Sequence, residues 1–114
     1  MKKDTKIYLT LGIIVILIIL GIFWAKSSNE TPEEKTMKCI ANKSVLYVAT
    51  GCGFCAQQEA ILSNYSSLIN TVDCIKETQK CVDNKIQGTP TWSIDNKNYP
   101  GLKTIQQLKE ITGC

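Results

Sequence analysis

The sequence contains neither histidine nor arginine among its 114 residues, and all 13 basic residues are lysines. Without histidine, the chain cannot carry out Ser-His-Asp or Cys-His catalysis or build a histidine metal site. Without arginine, it cannot form a bidentate clamp on phosphate. The length is sufficient for one domain.

Excess positive charge is confined to the N-terminal part of the chain. Residues 1–26 carry four lysines and one aspartate, a net charge of +3, whereas residues 27–114 carry nine lysines and nine acidic residues. The larger part therefore lacks the basic surface that nucleic-acid binding requires. The sequence predicts that the protein does not bind nucleic acid.

A run of 19 uncharged residues, IYLTLGIIVILIILGIFWA, covers residues 7–25. As a helix it would be about 28 Å long, close to the thickness of the hydrocarbon core of a bilayer. A cleaved signal peptide is the alternative, but its apolar region is normally about 7–15 residues long and precedes an A-x-A-like site. The run favours an uncleaved transmembrane signal anchor.

The flanking lysines predict the orientation of this anchor. Lys2, Lys3 and Lys6 precede the run and Lys26 alone follows it, so residues 1–6 are expected in the cytoplasm. The chain is then a single-pass protein of the cell membrane with an extracytoplasmic domain. Disulfides persist in that compartment, which agrees with the six cysteines.

Residues 26–38, KSSNETPEEKTMK, are polar and predict a flexible tether. Residues 39–114 are interpreted as one α/β domain with the element order β-α-β-α-β-β-α. Thr104 is the expected cap of the last helix. The spacing of apolar residues and the turn signals between them predict strands near 44–50, 66–74, 91–94 and 98–99. The same pattern predicts helices near 52–65, 77–85 and 104–111.

The motif Cys52-Gly53-Phe54-Cys55 lies between the first strand and the first helix of this domain. A cysteine at a helix N-terminus faces unpaired N–H groups and the positive end of the helix dipole. Its thiol pKa then falls from about 8.5 into the range of roughly 3.5–7.5. Cys52 is the predicted nucleophile, and Cys55, one turn later, is the resolving thiol that attacks a mixed disulfide.

Two other interpretations of this motif stay open, half of a zinc site and a static disulfide. Zinc requires about four ligands, and the other cysteines lack a second C-x-x-C spacing. These interpretations lead to an alternative hypothesis, in which the protein is a non-catalytic membrane protein whose cysteines bind metal or form static bridges. We predict redox activity, with no metal and no cofactor.

Thr89-Pro90 precedes the third predicted strand and is a candidate cis peptide bond. Beside a redox disulfide, the backbone at Thr89 would be available to pair with an extended substrate segment. Gly53 leaves the Cys52 sulfur open to a bulky protein. We therefore predict that substrate contacts Thr89, Pro90, Gly53 and Phe54.

Residues 39–112 resemble a small thioredoxin-fold domain, with CGFC as the active site and GTPT as the cis-proline loop. The closer resemblance is to thioredoxin-like domains associated with vitamin K epoxide reductase homologues. Its motifs are LYVATGCGFCAQQEAIL, VDC with a following Cys81, and IQGTPTWSIDNKNYPGLKTIQQL. One departure is Leu46, which occupies the position of the buried acid of cytosolic thioredoxins.

This resemblance implies a membrane-anchored, extracytoplasmic thiol-disulfide oxidoreductase that acts on protein thiols and disulfides. A membrane enzyme like vitamin K epoxide reductase would reoxidise it. The alternative is the reverse direction, an outward-facing reductant for cytochrome c maturation or disulfide repair. The resemblance also implies a disulfide between Cys74 and Cys81, either structural or a relay of electrons to the active site.

The outer cysteines bracket the domain. If Cys39 and Cys114 are bridged, they close a loop of about 76 residues, which the chain-entropy model equates with roughly 4.5 kcal/mol of stabilisation. A free Cys114 is the alternative. Cys74 and Cys81 are seven residues apart, so they can be bridged only if the chain bends between them, because one continuous helix would separate them by about 10 Å.

Overall fold

The computed structural model describes residues 2–25 and 30–114. The chain divides into two compact units, Met1–Glu30 and Thr31–Cys114. The first unit contains helix α1, Lys2–Ala25, which includes the whole uncharged run. By length and composition this helix is able to cross a membrane.

The second unit begins with a helix that the sequence analysis did not predict. Helix α2, Pro32–Lys43, covers residues 32–38 of the expected tether, while residues 26–29 lie outside the described residues. Thr31 caps the helix by accepting a hydrogen bond from the backbone N–H of Glu34, and Pro32 occupies its first turn. Met37 and Ile40 are buried, so α2 is part of the domain core. The prediction of a flexible segment was therefore wrong over residues 32–38.

Four strands form one sheet in the order β2-β1-β3-β4. The central strand β1 runs parallel to β2 and antiparallel to β3, and β3 runs antiparallel to β4. The strands are β1, Ser44–Val48; β2, Asn70–Asp73; β3, Thr91–Ile94; and β4, Lys97–Pro100. A parallel pair requires a long crossover, and here helix α3, Gly53–Leu62, and a 3₁₀ helix, Ser63–Leu68, supply it.

The two faces of the sheet carry separate apolar clusters. Alternate residues of a strand point to opposite faces, so Leu46 and Val48 join one cluster and Tyr47 joins the other. The larger cluster packs residues of α2, α3 and helix α5, Ile105–Thr112, against the sheet. The smaller one includes Cys81 from helix α4, Thr78–Asp83.

The predicted order β-α-β-α-β-β-α is confirmed from β1 to α5, with α2 added before it. Several boundaries differ. The helix expected over 52–65 ends at Leu62, because the chain turns at Ser63, where φ is +53°. Residues 66–68 belong to the 3₁₀ helix rather than to a strand.

Candidate active site

Cys52 lies at the N-terminus of helix α3, directly after the turn that leaves β1. Gly51 has a φ of +83°, a conformation that glycine adopts without steric cost, and this turn directs the chain into the helix. Cys52 is the N-cap residue, and its sulfur accepts a hydrogen bond from the backbone N–H of Cys55 at 3.1 Å. The helix N-terminus therefore donates directly to this sulfur.

Cys52 and Cys55 form a disulfide with their Cα atoms 5.2 Å apart. The two cysteines differ in accessibility, since Cys55 is 4% exposed while Cys52 is partly exposed. Gly53 and Phe54, between them, are both exposed. A second protein can therefore approach Cys52, whereas Cys55 lies inside the domain.

Thr89 lies beside Cys52, although 37 residues separate them in the sequence. The Thr89 hydroxyl donates a hydrogen bond to the Cys52 sulfur at 3.5 Å, and the Thr89 carbonyl oxygen lies 3.7 Å from the same sulfur. The peptide bond between Thr89 and Pro90 is cis. The structure thus brings the two sequence motifs together at one sulfur atom.

An apolar groove of about 270 Å³ adjoins the disulfide on the side of Phe54. Its walls come from three segments, the start of α3, the Thr89–Pro90 turn and the loop after β4. A backbone hydrogen bond of 2.9 Å from Gly101 N–H to the Pro90 carbonyl holds two of these segments together. The lining residues are Phe54, Thr89, Pro90, Gly101 and Leu102.

Asp73, the last residue of β2, binds the loop that leads to Cys52. Its carboxylate accepts hydrogen bonds from the Thr50 hydroxyl at 2.5 Å and from the backbone N–H of Ile75 at 2.8 Å. These bonds, with Thr50 as the largest contributor, lower the pKa of Asp73 below its ordinary value of 3.8. The ionised carboxylate therefore fixes the loop on which Cys52 stands.

No family model matches the chain. It is 30% identical to the thiol-disulfide oxidoreductase LTO1 of Arabidopsis thaliana over 77 residues, which cover 60% of this chain and 20% of LTO1. The chain thus spans about a fifth of the length of that relative.

Two structures of Enterococcus faecalis alkylhydroperoxide reductase AhpF are similar to the chain at 20% identity, covering 73% of this chain and 45% of theirs. The TM-score is 0.50 for a cysteine-to-alanine mutant of AhpF and 0.49 for its NTD_N/C domain. At 20% identity, the similarity to the cysteine-to-alanine mutant of AhpF concerns the fold alone. The domain has a thioredoxin-like fold.

The other four cysteines of the thioredoxin-like domain form two further disulfides. Cys39 on α2 pairs with Cys114 after α5, with a Cα separation of 6.0 Å. Cys74 after β2 pairs with Cys81 on α4 at 5.6 Å, because the chain bends before α4 begins at Thr78. All six cysteines of the chain are therefore paired.

The Cys74–Cys81 disulfide borders a second cavity, of about 240 Å³, which extends to Thr89. Within residues 2–25 and 30–114, no group of three or more His, Cys, Asp or Glu side chains is arranged to hold a metal ion.

Several residues around the site of this thioredoxin-like domain were not predicted from the sequence. Asp73 and Thr50 carry no motif, and their pairing follows only from the parallel register that sets Val48 opposite Asp73. Gly101 and Leu102 reach the site because β4 returns antiparallel to β3. The Pro100-Gly101 step at the end of this short strand is the one sequence signal that marks the loop.

Proposed function

We propose that the protein is a membrane-anchored thiol-disulfide oxidoreductase that exchanges disulfides with protein substrates through Cys52 and Cys55. The observation that carries the proposal is the asymmetry of the pair at the start of α3. Cys52 is reachable and accepts hydrogen bonds from the Cys55 N–H and the Thr89 hydroxyl, while Cys55 is buried. The similarity to LTO1, a thiol-disulfide oxidoreductase, supports the same chemistry.

In the oxidising direction, a substrate thiolate attacks the Cys52 sulfur and the Cys55 thiolate leaves, giving a mixed disulfide on Cys52. A second substrate thiolate then attacks the substrate sulfur of that bond. Cys52 leaves as a thiolate, stabilised by its hydrogen bonds to the Cys55 N–H and the Thr89 hydroxyl. The substrate gains a disulfide, and two electrons remain on the Cys52–Cys55 dithiol.

Substrate is expected to contact Thr89, Pro90, Gly53 and Phe54. The Thr89 carbonyl lies 3.7 Å from the reacting sulfur, so an extended segment that pairs with this backbone carries its own cysteine to Cys52. The apolar groove beside it, which includes Phe54, has room for one neighbouring side chain. Disulfide partners with an apolar residue next to the cysteine fit this surface.

The nucleophile and resolving roles are tested by serine substitutions in the full chain in detergent micelles. Cys52→Ser should abolish exchange with a model disulfide, whereas Cys55→Ser should accumulate mixed disulfides on Cys52, because the attack that releases them is lost. The double variant Cys74→Ser/Cys81→Ser is the matched control and should retain exchange. Exchange that persists in Cys52→Ser would refute the proposal.

The direction of electron flow follows from the reduction potential of the Cys52–Cys55 pair. A value near −120 to −180 mV, in the range of DsbA and protein disulfide isomerase, supports an oxidant of extracytoplasmic proteins. A value near −270 mV, as in thioredoxin, supports the reductant. Equilibration of the full chain with glutathione buffers, followed by alkylation of the free thiols, measures it.

We also propose that α1 spans the cell membrane with residues 1–6 in the cytoplasm, and that a membrane enzyme like vitamin K epoxide reductase reoxidises the domain. The uncharged run within α1 and the lysines before it support this topology. Anchoring raises the effective concentration of the domain beside such an enzyme. In intact cells, a membrane-impermeant thiol reagent should label Cys52 in the Cys55→Ala variant. Labelling only after lysis would contradict the proposed topology.

A further inference from the structure

Gln58 is a fully buried amide on the active-site helix. It is 0% exposed and lies three residues after Cys55, on the face of α3 that also buries Leu62. A buried amide without hydrogen-bond partners is strongly destabilising. Every buried side-chain nitrogen and oxygen among the described residues has a hydrogen-bond partner, and Gln58 has three.

The three hydrogen bonds of Gln58 join it to two distant segments. Its Oε1 accepts from the Lys103 backbone N–H at 2.8 Å and from the Trp92 indole N–H at 3.0 Å. Its Nε2 donates to the Lys103 carbonyl at 3.0 Å. Both N–H groups are donors only, so they fix the orientation of the amide. The side chain thus pairs with both polar groups of one peptide residue, as a neighbouring strand would.

These partners belong to the segments that form the groove beside the disulfide. Lys103 directly follows Gly101 and Leu102, which line one wall. Trp92 is 0% exposed and lies on β3, two residues after Pro90. Phe54 lies on the first turn of α3, the helix that carries Gln58. One side chain therefore connects all three segments that bound the groove.

We propose that Gln58 is a positioning residue that sets the width of this groove, and thereby selects substrates with an apolar side chain next to the reacting cysteine. The inference rests on the proposed exchange function. Gln58 is buried and does not touch substrate, so it acts on the groove through its two hydrogen bonds to Lys103. Without the hydrogen bonds of Gln58 to Lys103, the loop keeps its Gly101–Pro90 hydrogen bond but loses its attachment to α3, so the distance between Leu102 and Phe54 is no longer fixed.

The test compares two peptides that differ in one residue beside a single cysteine, leucine in one and serine in the other. Each cysteine is held in a disulfide with a chromogenic thiol. The Cys52 thiolate of the reduced full chain attacks the peptide sulfur, and the chromogenic thiolate leaves. The Cys55 thiolate then attacks the Cys52 sulfur and releases the peptide thiolate. The measured quantity is the ratio of the two second-order rate constants, leucine to serine.

The main variant is Gln58→Met, which keeps the unbranched shape of glutamine and removes all three hydrogen bonds. We expect the leucine-to-serine ratio to be well above one in the wild type and to fall about tenfold in the variant, as for a misplaced apolar contact. Gln58→Leu is the second variant, to be used if Gln58→Met does not fold. It also removes all three hydrogen bonds and buries no charge, so a fall of similar size is expected.

Trp92→Phe is the matched control. It removes one buried hydrogen bond and lowers stability but leaves both bonds between Gln58 and Lys103, so the ratio should stay within about twofold of the wild type. An equal fall in this control would attribute the effect to stability alone and overturn the inference. A leucine-to-serine ratio of one in the wild type, or an unchanged ratio in a folded Gln58 variant, would also overturn the inference. A wild type that reacts with neither peptide would instead overturn the proposed function together with this inference.

Discussion

In the proposed exchange, the reactivity of Cys52 depends on a few atoms that the fold brings to its sulfur. The Cys55 N–H and the Thr89 hydroxyl both donate to it, and the loop before it is held by the Asp73 carboxylate. The first donor follows from the C-x-x-C motif at a helix start and could be predicted from the sequence. The hydrogen bond between Thr50 and Asp73 could not, because it joins two ordinary polar residues 23 positions apart.

Asp73 should make stability depend on pH in the acidic range. Hydrogen bonds to its ionised form lower its pKa in the folded state, so the stabilisation is present above the unfolded value near 3.8 and is lost as the pH falls through the lower folded value. Asp73→Asn should therefore destabilise the full chain at neutral pH, and the difference from wild type should shrink below pH 3.8.

Urea unfolding in detergent micelles at several pH values measures this effect. Asp95→Asn is the control, since Asp95 is an exposed residue of the β3–β4 turn with a φ of +51°, which asparagine tolerates. A difference between Asp73→Asn and wild type that stays constant with pH would contradict the role given to the carboxylate.

Among the helices, α5 could be predicted from the sequence and α2 could not. Thr104 and the apolar residues that follow mark α5, and the structure has the complete capping box between Thr104 and Gln107. Helix α2 has equivalent signals, a Thr31 cap and Pro32 in the first turn. They stand in a segment so rich in polar residues that its composition favours a linker.

Helix α3 illustrates a different limit. Its start follows from the motif but its end at Leu62 does not, and its buried face contains Gln58 rather than a third apolar residue. The partners of that amide, Trp92 and Lys103, are 34 and 45 residues away. From the sequence alone, a polar side chain such as that of Gln58 is predicted to be solvent-exposed. Its burial is evident only from the tertiary contacts.

Loss of the Thr104 cap should weaken the attachment of α5. Thr104→Ala removes the hydroxyl that accepts from the Gln107 N–H, and loss of such a cap typically costs about 1 kcal/mol. For a domain of this size, thermal unfolding should shift down by about 4–8 °C. Thr104→Ser keeps the hydroxyl and should unfold close to wild type. Equal melting temperatures for the alanine and serine variants would contradict the capping role.

At the scale of the whole molecule, three disulfides support one small domain that follows an apolar helix. The Cys39–Cys114 bridge joins α2 to the chain after α5, and these two helices pack against the same face of the sheet. Small domains bury a limited core, so a long-range covalent link contributes a large share of their stability. The sequence is compatible with this pairing, but it does not exclude a free Cys114.

Removal of the Cys39–Cys114 bridge should cost more than removal of Cys74–Cys81. The first spans 75 residues and the second 7, and the chain-entropy model gives about 4.5 and about 2.5 kcal/mol respectively. Urea unfolding of the two double cysteine-to-alanine variants of the full chain measures the difference. A larger loss for the Cys74–Cys81 variant would indicate that this bridge has a role beyond loop closure.

The proposed exchange requires that the helix N-terminus and Thr89 hold the Cys52 sulfur as a thiolate at neutral pH. The most direct measurement is the rate of iodoacetamide alkylation against pH in the full-length Cys55→Ala variant, in which Cys52 is the single free thiol while the other two disulfides stay intact. We expect the rate to titrate with a pKa within roughly 3.5–7.5, as for activated cysteines. A rate that titrates near 8.5, the value of an unperturbed cysteine, would contradict it.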